Sequence, residues 1–595
     1  MTRKLAIVIS GAVSLGSYEA GVTYELLEAI AKHNELARSE DRIEIDVITG
    51  ASAGGMTATI LAKSLLCHGP TLRDPYQNPL YKAWVEEVKM LRDNPDDMNE
   101  IPGLLEVDKE DHKLSLLNKL ALDQIAAKVL PDQFSSVPGI PISDPHPAVS
   151  RDAKGQPQVL VGVAMGNLNG FPLSLRLNQG IGLTNTDDFS YSQYKDRYVV
   201  RMVRPAQEPL QDLHMEEWEE YKSSPHNTWK AREEEMSTVS WPQLREVALS
   251  SGAFPFAFGV RTIERHSDQK GQPRPEALYA SRDSNRKQSA FEPKRDPFDG
   301  KYVYTDGGVF ENEPIGLAMT LISSLYGEAE IMNQDRYFLF IAPGARKADA
   351  DPFQGSADAD HLSVAKALVA GIMGQSRYQD WIARNRHPKV LAVTSEDAKL
   401  LGDVFSAFAG FLEEKFRAYD YNIGRSTAQE KLKILLATER SPIRPDIRLE
   451  EPLWPPPKAN RSKYWVKLKA ETNPRTPMSW AEAQSCFQEI AAVQTGKDGR
   501  RDQIAELNYL LDNVDPSARK RIRSQILDRV RSLVGYLYLR YEKRPGQGPA
   551  SSLRGLATTV GFWVKGAWAL IRGRKAMEHF VADQADQWLR TNLHL

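Results

Sequence analysis

A serine with glycines two residues before and two residues after it is the strongest candidate for chemistry in this chain. Ser52 lies between Gly50 and Gly54, after an apolar run typical of a buried strand and before a helical run from Met56 to Leu66. Glycines at these positions let a strand reverse directly into a helix, so that the serine hydroxyl projects over the edge of a sheet. The first amides of the helix would favour negative charge on a substrate oxygen. The pattern predicts a nucleophile elbow; the alternative is a turn of small residues.

An aspartate at the end of a short strand is the candidate base for that serine. Asp306 follows Tyr302–Thr305, and Gly307 and Gly308 after it let the chain turn closely around it. A serine hydroxyl needs a base within hydrogen-bond reach, and a desolvated carboxylate is basic enough for this role. None of the 11 histidines follows a strand and precedes glycines in this way. A lone Asp-Gly-Gly is usually only a turn, so the interpretation depends on the serine upstream.

A loop of small residues provides a third candidate element. Gly11–Gly16 separates the apolar run Leu5–Ile9, which predicts a buried strand, from a helix predicted over Ser17–Lys32. Backbone amides of such a loop lie at the carboxyl edge of a sheet, where ligands bind and where amides can stabilise an oxyanion. A tight connection that binds no ligand is the alternative.

The composition is that of a globular protein that can hold several domains. The chain has 595 residues, of which 41% are apolar and 26% are charged. No uncharged apolar run reaches the roughly 18 residues of a membrane-spanning helix, and the first residues indicate a strand rather than a secretory signal. The two cysteines, Cys67 and Cys486, are far apart. We therefore expect no disulfide framework and a cytoplasmic location.

Elements between the candidate motifs indicate more of the sheet and its surroundings. Val159–Met165 and Tyr198–Val203 are predicted strands, with Phe171–Leu177 as a partner hairpin. The stretch Glu208–Glu235 contains nine acidic residues and three basic ones, which predicts a solvated insertion. Ala248–Pro255 is either a packed turn or one wall of a substrate pocket.

Three of these stretches, in this order and spacing, resemble the hallmarks of the patatin-like phospholipase family of serine lipid acyl hydrolases. Gly11–Gly16 is similar to its glycine-rich oxyanion loop, Gly50–Gly54 to its Gly-x-Ser-x-Gly elbow, and Asp306–Gly308 to its Asp-Gly-Gly motif. Asn312 and Pro314 match the Asn-x-Pro that often follows. The resemblance covers roughly residues 4 to 345. It implies a three-layer α/β/α domain with a mainly parallel sheet and a Ser-Asp dyad that works without histidine.

What the resemblance implies for chemistry is hydrolysis of a lipid ester through an acyl-enzyme, with no cofactor. Asp306 would accept the proton of Ser52 as the serine attacks the ester carbonyl, and the same aspartate would later activate water. The oxyanion would lie against the amides of Gly11, Ala12, Val13 and Ala53.

The oxyanion loop departs from the family pattern, which commonly reads Gly-Gly-Gly-x-Arg/Lys-Gly. Here Ala12, Val13 and Leu15 occupy the second glycine, the third glycine and the basic position. Backbone amides survive these changes, but a β-branched residue such as Val13 disfavours positive φ. If the hole needs that conformation, the loop would be badly formed. This leaves open a catalytically silent lipid- or membrane-binding scaffold. A thioesterase or protease on the same dyad is the other alternative.

The C-terminal segment 516–575 differs from the rest of the chain in charge. It holds 14 Lys and Arg against two acidic residues, a net charge of +12. Apolar residues recur in it at helical spacing, as in a helix that lies on an anionic membrane; packing of that face on the protein is the alternative. The recurring residues are Ile522, Ile526, Val530, Leu533, Val534 and Leu537. We find no zinc-ligand spacing, RNA-binding signature or phosphate loop, so we expect no nucleic acid partner.

These observations predict three regions. Residues 1–345 form the catalytic domain, residues 346–450 a helical extension packed on it, and residues 451–595 a helical basic module. The block Phe411–Arg425 resembles part of the C-terminal extension of a bacterial subgroup of the family, and we expect it to pack on the catalytic domain. We expect peripheral contact with the inner membrane face. We expect no metal site, because the cluster Asp349, Asp351, Asp358 and Asp360 lacks the ligand spacing of a calcium loop.

Overall fold

The computed structural model describes the greater part of the chain between residues 2 and 592. The described residues are 2–94, 96–97, 99–107, 115, 117–132, 134, 137–175, 189–206, 210–218, 238–255, 257–265, 291–293, 301–343, 388–395, 400–402, 408–436, 441–457, 478–491, 505, 508, 511–512, 514–542 and 574–592. The predicted solvated turn with its four aspartates between 349 and 360 lies outside them.

A mixed β-sheet forms the centre of the fold. Within the described residues its strands are β1 (Arg3–Ile9), β2 (Ile43–Gly50), β3 (Ser150–Arg151), β4 (Pro157–Leu175), β5 (Phe189–Val203), β6 (His214–Glu217), β7 (Arg261–Glu264), β8 (Phe291–Pro293), β9 (Lys301–Asp306), β10 (Arg336–Ala342) and β11 (Val390–Thr394). The main path runs β11-β10-β1-β2-β4-β5-β6. Neighbours from β11 to β4 are parallel, and β5, β6 and β9 join antiparallel.

Helices cover both faces of this sheet. In chain order they are α1 (Gly16–Leu36), α2 (Ala53–Cys67), α3 (Gly69–Leu72), α4 (Pro79–Tyr81), α5 (Lys119–Val129), α6 (Trp241–Ser251), α7 (Ile315–Tyr326), α8 (Glu414–Leu436), α9 (Trp480–Ala491), α10 (Pro516–Glu542) and α11 (Arg574–Asn592). Alternate residues of β1 point to opposite faces. Ile7 and Ile9 pack in the core with α1 and α2, and Ala6 and Val8 pack with α7. The predicted α/β fold class is confirmed.

The predicted strands in the middle of the chain are present, but they run further than the sequence indicated. Val159–Met165 is part of β4 and Tyr198–Val203 is part of β5, and the two strands form one long antiparallel hairpin. The hairpin also includes residues from the predicted partner segment Phe171–Leu177.

The prediction of a solvated insertion over the acidic stretch is wrong for its first part. His214–Glu217 forms the edge strand β6, which pairs with β5. Glu216 and Glu217 are buried there. Their charges are accommodated because arginines lie beside them: Arg201 is 3.6 Å from Glu216 and Arg265 is 3.2 Å from Glu217.

The extension packs directly on the first helix through α8. A Cβ atom added to Gly424 would lie 2.2 Å from the carbonyl oxygen of Tyr18, so glycine is required for this close approach of two helices. Beside the crossing, Arg425 of α8 and Glu25 of α1 form an ion pair of 2.8 Å, with only 1% of each side chain exposed. The proposed division into three regions stays a prediction.

The C-terminal helices contact each other and the middle of the chain. Arg523 of α10 pairs with Asp586 of α11 at 2.6 Å. Ile522 of α10 is buried in an apolar cluster that includes Phe411, and Arg529 donates a hydrogen bond to the carbonyl of Glu106. Part of the apolar stripe of segment 516–575 therefore packs on the protein. In the described part of the chain no helix is both long enough and apolar enough to cross a membrane.

Candidate active site

The predicted nucleophile lies in a sharp turn between β2 and α2. Ser52 has φ 54° and ψ −129°, a conformation that residues with a side chain rarely adopt. The flanking glycines are sterically required: a Cβ on Gly50 would lie 2.1 Å from the Gly54 carbonyl oxygen, and a Cβ on Gly54 would lie 2.4 Å from that of Ile9. The first turn of α2 begins at the next residue, Ala53, so its amides lie beside the serine.

The predicted base is hydrogen-bonded to this serine. The hydroxyl of Ser52 donates to Oδ2 of Asp306 at 2.6 Å, and the amide of Gly308 donates to Oδ1 at 2.6 Å. Asp306 is the last residue of β9, and the turn Gly307–Val309 follows it. A side chain on Gly307 would collide with the carbonyl of Ala164 in β4. The two glycines therefore allow the aspartate to lie close to the sheet edge.

Burial changes the acidity of this aspartate. Only 1% of Asp306 and 5% of Ser52 are exposed. Loss of solvent raises the pKa of the Asp306 carboxyl to about 7, although the hydrogen bonds from Ser52 and Gly308 act in the opposite direction. A carboxylate with this pKa is a stronger base than an exposed one, and near neutral pH it is partly ionised. The arrangement can accept a proton from the serine hydroxyl.

The loop after β1 lies directly against the serine. A Cβ on Gly11 would be 2.9 Å from the Cβ of Ser52. Val13, where positive φ was expected to be disfavoured, has a φ of 50° and begins the short turn Val13–Leu15. The amide of Gly11 donates to the carbonyl of Asn312 at 3.0 Å. Of the predicted oxyanion donors, Gly11 thus has an acceptor within the protein.

An apolar cavity opens at the serine. Its walls come from the loop after β1, α2, residues 83–88, α5, the end of α6 and the turn after it, and a single residue of the extension. The lining residues are Val13, Ser52, Ala53, Met56, Ile60, Ala83, Trp84, Val88, Leu122, Ile125, Ala126, Val129, Leu130, Ala248, Leu249, Gly252, Phe254, Phe258 and Phe411. Ser52 is the only residue with a hydroxyl group among these. The cavity suits a hydrocarbon chain attached to the group that the serine attacks.

A family model for patatin-like phospholipases matches residues 7–319, more than half of the chain. The chain belongs to the patatin-like phospholipase family. The uncharacterized protein y4iI of Sinorhizobium fredii (strain NBRC 101917 / NGR234) is 23% identical over 492 residues. That alignment covers 72% of this chain and 64% of the relative, so the chain spans less than two thirds of the relative's length.

In this patatin-like protein, the structure brings the three predicted motifs together at one edge of the sheet. It also shows parts of the site that the sequence did not indicate. Leu122, Ile125, Ala126 and Val129 of α5 line the cavity, and their helical spacing predicts an apolar face but not what that face contacts. Phe411 comes from the extension, far from the motifs in sequence, and no local signal identifies it.

Metal ligands are not found among the described residues: no group of His, Cys, Asp or Glu there could hold a metal ion. Among the described residues, histidine takes no part in the hydrogen bonds of the dyad, since Asp306 is hydrogen-bonded to Ser52 and Gly308. His266 and His387 lie outside the described residues.

Proposed function

We propose that this protein is a serine lipid acyl hydrolase that uses Ser52 and Asp306 as a catalytic dyad. The single observation that carries this proposal is the 2.6 Å hydrogen bond from Ser52 Oγ to the buried carboxylate of Asp306, at the mouth of an apolar cavity. Membership of the patatin-like family supports hydrolysis of lipid esters as the reaction class.

The reaction begins when Ser52 Oγ attacks the carbonyl carbon of the ester and its proton moves to Asp306. The negative charge that develops on the carbonyl oxygen is stabilised by the amides of Ala12, Val13 and Ala53, with α2 directing its positive end toward it. Gly11 joins this set only if its amide leaves Asn312. The ester C–O bond then breaks, the leaving alcohol takes the proton from Asp306, and the acyl group stays on Ser52.

Deacylation repeats these steps with water. Asp306 removes a proton from a water molecule, whose oxygen attacks the acyl carbonyl. The bond to Ser52 Oγ breaks, the serine regains the proton, and the fatty acid leaves. One carboxylate thus acts as base in each half of the reaction and as acid in between.

The alternatives differ in what they require of the cavity. A protease needs polar groups that hold a peptide backbone, whereas the walls here are hydrocarbon and aromatic. A thioesterase would use the same acyl cavity and dyad, and it stays an alternative. A silent lipid-binding scaffold would leave Ser52 unreactive.

Labelling with a fluorophosphonate, with the modified residue located by mass spectrometry, tests the dyad. We expect labelling at Ser52 of the wild type and none in Ser52→Ala or Asp306→Asn. Ser64→Ala is a matched control, because Ser64 is on the same helix and its hydroxyl donates to the carbonyl of Ile60. A well-folded wild-type protein that does not react would support the silent scaffold. A reactive Ser52 with activity on thioesters or peptides only would exclude the lipid ester assignment.

We also propose peripheral contact with an anionic membrane through segment 516–575. The net charge of +12 supports it, since each basic residue near an anionic leaflet contributes about 1 kcal/mol. Arg529 is buried and Arg523 pairs with Asp586, so the contact would rest on the other basic residues of the segment. Ile522 is buried and cannot insert, so the contact would rest on charge and on other parts of the segment. Sedimentation with liposomes that contain or lack anionic lipid tests this; equal binding to both, or none, would contradict it.

A further inference from the structure

The backbone of Val13 is strained in the oxyanion loop. A β-branched residue with a φ of 50° is an outlier with a steric cost. Such a conformation persists only where the surrounding structure holds it in place. Part of what contacts this loop comes from residues 400–402 and 408–420, beyond the segment that matches the family model.

Two glycines of that segment enclose Ser14, the residue after Val13. The hydroxyl of Ser14 donates to the carbonyl of Gly402 at 3.5 Å. A Cβ on Gly402 would lie 3.2 Å from Ser14 Oγ, and a Cβ on Gly410 would lie 2.6 Å from the same atom. The segment therefore fits against the loop without room for a methyl group at Gly410.

Side chains from the first two turns of α8 fix the backbone at both glycines. The buried carboxylate of Asp420 accepts hydrogen bonds from the amides of Leu401 and Gly402, each at 2.8 Å. The guanidinium of Arg417 donates to the carbonyl of Gly410 at 3.0 Å. The position of Gly402, and through it that of Ser14, thus depends on Asp420.

The side chain of Val13 packs against an apolar cluster that residues 88–125 share with Phe411 of the extension. Both Val13 and Phe411 line the cavity. The loop is therefore contacted by the extension at Ser14, and the cluster around Val13 includes Phe411 of the extension.

We propose that residues 400–402 and 408–420 hold the oxyanion loop in its strained conformation, and that Asp420 is a positioning residue for ester hydrolysis. This inference rests on the proposed function, since it concerns how the amides of Ala12 and Val13 are aligned with Ser52. It also accounts for Val13 at a position where the family commonly has glycine. A glycine adopts positive φ without a steric cost, whereas Val13 needs contacts from the extension to hold that conformation.

The test measures the rate at which a fluorophosphonate modifies Ser52 in the full chain, together with kcat and KM for a soluble ester. We expect Asp420→Asn, which leaves one of the two amides without its acceptor, to slow labelling and lower kcat by about 10–100-fold, because it displaces oxyanion donors. KM should change little. Val13→Gly in the same chain should restore most of the rate, since glycine adopts positive φ without a steric cost.

Asn422→Ala is the matched control. Asn422 lies on the same helix and is as buried as Asp420, but it contacts Tyr76 and the carbonyl of Leu453 instead of the loop segment. Its loss should lower stability without slowing the labelling of Ser52.

The outcomes separate this inference from the proposed function. A wild-type protein that is not labelled overturns both. If the wild type is labelled and Asp420→Asn is labelled at the same rate, the inference alone is overturned. It is also overturned if Asp420→Asn is labelled more slowly and the addition of Val13→Gly does not restore the rate. If Asp420→Asn does not fold, Gly410→Ala takes its place, because its methyl group would press on Ser14 from the extension; a wild-type labelling rate in that variant would overturn the inference.

Discussion

Ser52 and Asp306, which are 254 residues apart in sequence, are joined by a hydrogen bond of 2.6 Å from the serine hydroxyl to the carboxylate. The serine lies two residues after the end of β2 and the aspartate ends β9, and both of these strands pair with β4. We expect the reactivity of the pair to depend mainly on the protonation state of Asp306 and on the oxyanion loop.

Activity should depend on pH through Asp306. Because burial raises the pKa of this carboxyl to about 7, the fraction that is ionised and able to accept a proton increases as the pH rises through that value. We expect kcat/KM for ester hydrolysis, and the rate of fluorophosphonate labelling, to rise about tenfold per pH unit well below pH 7 and to level off above it. A rate that does not change between about pH 5 and about pH 9 would contradict Asp306 as the base.

Stability should depend on the same group in the opposite direction. The pKa of Asp306 is raised from 3.8 to about 7 in the folded protein, so folding favours the protonated carboxyl. Its contribution to the free energy of unfolding is therefore present below about pH 4 and is lost as the pH rises to about 7, a change on the order of 4 kcal/mol.

Asp306→Asn removes this titration. The difference in melting temperature between the variant and the wild type should shift in favour of the variant from about pH 4 to about pH 8. Ser52→Ala, which keeps the carboxyl, is the control and should retain most of the pH dependence of the wild type. A constant difference between Asp306→Asn and wild type across this range would show that the carboxyl titrates normally.

The parts of the site that could be predicted from sequence are those that depend on local geometry. A strand, a glycine-flanked serine and a helix specify the elbow within a few residues, and Asp306 is marked by the glycines that follow it. The conformation of Val13 could not be predicted, because intrinsic preference disfavours positive φ, and the contacts that we propose to hold it come from residues 400–402 and 408–420, which are distant in sequence. The acceptor of the Gly11 amide, Asn312, is likewise distant in sequence.

For the fold, apolar runs identified the central strands, because buried parallel strands are apolar on both faces. The edge strand β6 was missed since its acidic residues suggested solvent, and the arginines that neutralise them come from β5 and from the residue after β7. Likewise, the periodicity of α10 could not show which face packs on the protein, as both membrane and protein surfaces select the same spacing.

The length of the cavity should limit the acyl chain. Ser52 and Ile60 both line it, and Ile60 is eight positions after Ser52, which corresponds to about 12 Å along a helix. An extended alkyl chain of this length holds roughly nine methylene groups, since each C–C bond of about 1.5 Å advances the chain by about 1.3 Å. Ile60→Trp should therefore lower kcat/KM for decanoyl esters by about tenfold or more and leave butyryl esters within about twofold. Ile60→Val, which removes one methyl group, is the control. Equal losses for both esters would mean that the tryptophan disturbs the dyad rather than the cavity.

At the contact between α1 and α8, a change from glycine to alanine has two opposite effects on the free energy of unfolding, one from helix propensity and one from packing. Gly21 lies within α1, where alanine is intrinsically favoured over glycine by about 1 kcal/mol. A Cβ at this position would lie 1.9 Å from the carbonyl oxygen of Tyr421, so Gly21→Ala must push the helices apart. We expect it to lower the free energy of unfolding by about 1–3 kcal/mol or more, measured by thermal or urea denaturation.

Gly259→Ala is the control for this change, because the nearest atom to its added methyl group is Cδ of Lys119 at 3.8 Å, an ordinary contact. This variant should keep the stability of the wild type within about 0.5 kcal/mol. Stabilisation by Gly21→Ala would mean that α8 does not pack on α1 at this distance. The support that the extension gives to the oxyanion loop would then need another explanation, because Asp420 is on the same helix.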